Sequence, residues 1–156
     1  MKAKRLTWLF GALSVLMVAF IWSHSMMSRA QSSGESLSVL AWLAPMFKAV
    51  GITDEETAHG LLRKLAHFAE FAALGAFLGG FTVNLGHLRG QRFISLPLLM
   101  VLSVAVADEF IQLFSGRAAM VQDVVLDFAG GVAGFGFAGL CCLVLKMCKN
   151  KRKEDA

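Results

Sequence analysis

The sequence predicts an all-α membrane protein: a bundle of four transmembrane helices, with a short amphipathic helical segment between the first and second spans. Three observations carry that reading. Of the 156 residues, 56% are hydrophobic and only 17% charged, against about a quarter charged in soluble domains. The mean hydropathy is +0.63. The apolar residues gather into four long runs, each close to or above the ~20 residues with which a helix crosses ~30 Å of hydrocarbon. These runs do not alternate polar and apolar residues, as the strands of a membrane barrel would.

The first run, LTWLFGALSVLMVAFIW (Leu6 to Trp22), follows Lys2, Lys4 and Arg5. With SRAQ (Ser28 to Gln31) behind it, this stretch also resembles a signal peptide. Its apolar part exceeds the usual ~7–15 residues, so an uncleaved span is the preferred reading. Next, SLSVLAWLAPMFKAV (Ser36 to Val50) carries apolar residues at helical spacing, interrupted by Pro45. It is expected to lie along the interface, with Trp42 and Phe47 dipping into the headgroup boundary. Thr53 reads as a helix N-cap with Glu56 completing a capping box, and that helix is expected to run through LLRKLAH into the second span, Leu65 to Leu85. A loop, GHLRGQR (Gly86 to Arg92), leads to the third span, Phe93 to Phe114. The turn Ser115 to Met120 leads to the fourth, Val121 to Met147. No fixed-period repeat is present, and residues 1–156 are expected to form one domain.

The net charge is +4, but the basic residues do not form a phosphate-binding stripe, and nucleic acid is not an expected partner. They sit instead at the tails, ending with Lys146, Lys149, Lys151, Arg152 and Lys153. Ten of the fifteen Lys and Arg fall on one side if both termini and the loop Gly86 to Arg92 are cytoplasmic, as the positive-inside tendency requires. Membrane lipids are the expected surroundings, with the basic tail drawn to anionic heads. Cys141, Cys142 and Cys148 fall at the cytoplasmic end of the last span and read as packing residues.

With that orientation, the polar residues of the spans share one depth. Ser23, His24 and Ser25 cap the outer end of the first; Lys64, His67 and Glu70 open the second span; Asp108, Glu109 and Gln112 close the third; Asp123 and Asp127 open the fourth. All fall in a layer roughly 10 Å thick by helical rise, on the outer side. An ionised side chain facing lipid at mid-membrane costs at least about 2.5–3.5 kcal/mol, so these groups are expected to face one another. Arg63, Lys64 and Arg117 are the cations available to them. The stripe of Asp123 and Asp127 continues into Gly130, Gly134 and Ala138, and Gly75 and Gly79 supply matching small residues on the second span. This small-xxx-small spacing lets helices approach closely.

The stretches RKLAHFAEFAALG (Arg63 to Gly75), ADEFIQLFSGRAAMVQDVVLDFAGGVAG (Ala107 to Gly134) and IWSHSMMSRAQSSGES make the chain similar to the VanZ-like family of bacterial membrane proteins over nearly its whole length. The resemblance puts Lys64, His67, Glu70, Asp108, Glu109, Gln112, Arg117, Asp123 and Asp127 at the family's motif positions. It departs from the family where Ser115 precedes Gly116 and Arg117, since a proline is usual there. The resemblance implies a multi-pass protein of the bacterial cytoplasmic (inner) membrane, linked to the cell envelope and to tolerance of teicoplanin-type glycopeptides.

Three functions fit these residues. The nine motif positions could line an outward-facing pocket for an envelope lipid, a lipid-linked glycan or a related ligand, with Lys64 and Arg117 taking phosphate or carboxylate. They could form an intramembrane enzyme acting on a phosphorylated lipid, with His67 as acid or base and Glu70, Asp108 and Glu109 assisting. In that case His67, Glu70, Asp108 and Asp123 are candidate ligands for a divalent cation, the one cofactor the residues suggest. Or the cluster could be a hydrogen-bonded lock that holds the helices in register.

Overall fold

A computed structural model of the protein describes residues 2–26, 45–48, 51–52, 54–90, 94–115 and 119–154. Four long helices make the fold: α1 (Lys2–Ser25), α2 (Glu55–Arg89), α3 (Ser95–Phe114) and α4 (Val121–Glu154). All four are long and apolar enough to cross a membrane, and the chain is a multi-pass membrane protein.

The helix bounds differ from the sequence expectations. The helix that starts at Glu55 nevertheless runs unbroken into the second span as expected, because nothing in Glu55–Arg89 breaks the hydrogen-bond ladder. At ~1.5 Å per residue, its 35 residues exceed a ~30 Å hydrocarbon core, so its polar first turns extend beyond the apolar zone. Its N-cap is Asp54, whose carboxylate accepts from the Thr57 amide at 2.8 Å and the Thr57 hydroxyl at 2.6 Å. The hydroxyl bond, then the amide bond, hold the Asp54 carboxyl below its usual pKa. Thr53, the expected cap, lies outside the described residues. At the other end α2 runs on through Arg89 and stops at Gly90. That glycine takes the left-handed conformation (φ 68°) and returns its N–H to the Gly86 carbonyl, a stop that glycine makes without strain. The fourth helix likewise continues past Met147 through its basic end, since no Gly or Pro interrupts it there.

The connecting segment also differs. Residues 45–48 are helical. Phe47 does not dip into the headgroups: it is buried against Ala58, with Ile52 and Leu62 packed around the pair. Trp42 and the rest of Ser36 to Val50 before Pro45 lie outside the described residues.

The principal interface joins α2 to α4. Contacts climb in step along both helices, from Lys64–Asp123 through Phe68–Gly130 to Ala72–Gly134 and Gly79–Ala138, so the two run parallel. The backbones touch: a Cβ on Gly134 would collide with the Ala72 carbonyl, and one on Gly75 with the Gly131 carbonyl. Beside this seam a small apolar core forms from Ile21 of α1, Phe71, Leu74 and Leu78 of α2, and Val101 and Ala105 of α3. Large apolar side chains such as Trp8, Val15, Phe110 and Leu145 point outward, as lipid-facing surface does. Isolated hydroxyls within the spans return to a carbonyl on their own helix, as Ser14 does to Phe10 and Thr82 to Leu78.

Candidate functional site

The polar layer lies where α1 and α3 end and α4 begins, and every long helix contributes to it. Asp108 of α3 is fully buried. It accepts from the Ser25 hydroxyl of α1 at 2.5 Å and from the Gln112 amide, one turn along, at 2.9 Å. The Ser115 hydroxyl bonds the Ser25 carbonyl at 3.1 Å and so ties the ends of α1 and α3 together. Gln112 therefore braces Asp108. Glu109, also buried, accepts from the Met120 amide at 2.9 Å, where a carboxylate satisfies an otherwise orphaned donor at the start of α4.

His67 of α2 stands between two carboxylates, its Nδ1 3.7 Å from Asp108 and 3.9 Å from Asp127. Glu70, one turn on, turns toward α1 and meets His24 Nδ1 at 3.0 Å. Phe20 packs against that imidazole, with ring centroids 6.0 Å apart. Lys64 reaches Asp123 at 4.0 Å with its side chain 44% exposed, a loose pair at the rim. Arg117 lies outside the described residues.

Asp127 is the exception in the layer. It is 0% exposed, and neither of its carboxylate oxygens accepts a hydrogen bond among the described residues. A buried ionised carboxylate without such partners is heavily penalised. It lines a cavity of about 10 Å³ together with Arg63, Lys64, His67, Glu109, Gln112 and Asp123. That volume is roughly one water-sized sphere, enough for an ion or the tip of a charged group.

Of the nine motif residues, the structure thus brings eight into one layer. His24 and Ser25 are the additions. The polar triplet Ser-His-Ser that closes the first apolar run puts them at this depth in the sequence, while their partners, Glu70 on α2 and Asp108 on α3, are seen in the structure. The donor set around His67 also differs from the expected His67, Glu70, Asp108 and Asp123. Glu70 is bonded to His24, Asp123 faces Lys64, and Asp127 joins His67 and Asp108.

No curated protein and no solved structure matches the chain. The family model described as VanZ/LLP1 matches residues 10–144, and with that match over most of its length the chain belongs to the VanZ/LLP1 family.

Proposed function

We propose that this VanZ/LLP1-family membrane protein binds the charged head of an envelope lipid or lipid-linked glycan, in a polar pocket opening to the outer side of the bacterial cytoplasmic membrane. The observation that carries the reading is the rim of the small cavity. Arg63 and Lys64 line it beside the buried carboxylates, and Lys64, half-exposed and 4.0 Å from Asp123, is held too loosely to be consumed by that pair. Such a cation receives phosphate or carboxylate readily, and the cavity admits only the tip of a ligand whose bulk stays among the lipids. Sequestering or presenting an envelope lipid at this surface fits the association of the family's name with glycopeptide tolerance.

The test uses a polyprenyl phosphate and the matching polyprenol, added to the full-length protein in detergent and read by native mass spectrometry. Wild type retains the phosphate and not the alcohol. Lys64→Ala weakens retention roughly ten- to hundredfold, the loss expected of one hydrogen bond to a charged group. Equal retention of the two lipids, or an unaffected Lys64→Ala, contradicts the reading.

A further inference from the structure

We propose that His67, Asp108 and Asp127 form a divalent-cation site inside the polar layer, selective for a transition-metal ion such as Mn²⁺ or Zn²⁺. The site does not depend on the lipid reading and stands or falls separately. One ligand atom from each of the three residues lies within 4.8 Å of both others, and His67 Nδ1 is 3.7 and 3.9 Å from the two carboxylates. Donors about 2.1 Å from a tetrahedral metal stand ~3.4 Å apart, so a small inward shift of each side chain closes the set.

Asp127 supplies the second, independent observation. Its carboxylate is fully buried, aimed at His67 and without a hydrogen bond to either oxygen among the described residues. A lock built from side chains would satisfy those oxygens. A cation does so directly, and the adjoining cavity of about 10 Å³ has room for an ion's remaining water. Asp108 is oriented by Ser25 and Gln112, in the way that outer partners hold metal-binding carboxylates, and both of its oxygens keep further lone pairs. Lys64 meets Asp123 at the rim rather than either of these carboxylates, and among the described residues the side chain paired with Asp127 is the His67 imidazole. A nitrogen donor with two carboxylates favours divalent transition-metal ions over Ca²⁺ and Mg²⁺, which prefer oxygen alone.

Mn²⁺ alone is the probe, because Cys141, Cys142 and Cys148 on the same helix would take up Zn²⁺. Untagged full-length protein in detergent is stripped with EDTA, freed of chelator and titrated with Mn²⁺ by electron paramagnetic resonance. The expected result is a single bound ion per chain, nitrogen coupling from one imidazole in the spin-echo modulation, and a raised melting temperature. Asp127→Asn, which keeps the shape but removes the charge, weakens binding at least about tenfold. A Mn²⁺ content equal to a protein-free blank, an absence of nitrogen coupling, or wild-type affinity in Asp127→Asn overturns the site. If Asp127→Asn does not fold, the nitrogen coupling of the wild type decides: present, it supports the site; absent, it overturns it.

Discussion

Asp108 and Asp127 flank the same imidazole and are equally buried, yet their surroundings differ. Asp108 is gripped by a hydroxyl and an amide from two helices, so removing its carboxylate strands two buried donors. Asp127 accepts no hydrogen bond among the described residues, so the fold gains little from its charge. The sequence shows their common depth, because depth follows from residue count at ~1.5 Å per step. It could not assign partners, because those depend on helix rotation. His67 and Glu70 are three residues apart and so diverge by about 60° around α2. That angle sends one toward α3 and α4 and the other to His24, and no spacing rule resolves it without the neighbouring helices.

At the scale of helices, the α2–α4 seam was legible as small residues at four-residue intervals, and Gly75, Gly79, Gly130, Gly134 and Ala138 all lie on it. Its parallel sense also follows, since alternate spans in a four-span chain share a direction. The boundaries were less legible. Hydropathy marks where the bilayer ends, while a helix ends where its hydrogen bonds do, which is why α2 starts at Glu55 and α4 runs to Glu154. The seam yields a paired test. A methyl added by Gly134→Ala meets the Ala72 carbonyl, whereas Gly136→Ala meets nothing within 4 Å. Overpacking typically costs about 1–3 kcal/mol, so Gly134→Ala is expected to lower the melting temperature in detergent by about 4–8 °C. Gly136→Ala should hold or raise it, given the ~1 kcal/mol helix advantage of Ala over Gly.

For the molecule as a whole, four apolar helices could satisfy hydropathy with their polar residues scattered, yet each contributes to one layer. The proposed orientation puts that layer on the outer side and the exposed Cys148 in the cytoplasm. In Cys141→Ser/Cys142→Ser protein, a membrane-impermeant maleimide should label Cys148 only after the cells are permeabilised; labelling of intact cells would invert the topology and move the pocket to the cytoplasmic face. Whether the layer exists for a ligand or for the fold is tested most directly by thermal unfolding of Asp108→Ala and Asp127→Ala with EDTA present. A binding layer predicts that Asp108→Ala, with two donors stranded, melts about 4–8 °C below wild type while Asp127→Ala melts with it or above it. An equal fall in both would mean that Asp127 holds the helices together, and the account of a ligand site would be wrong.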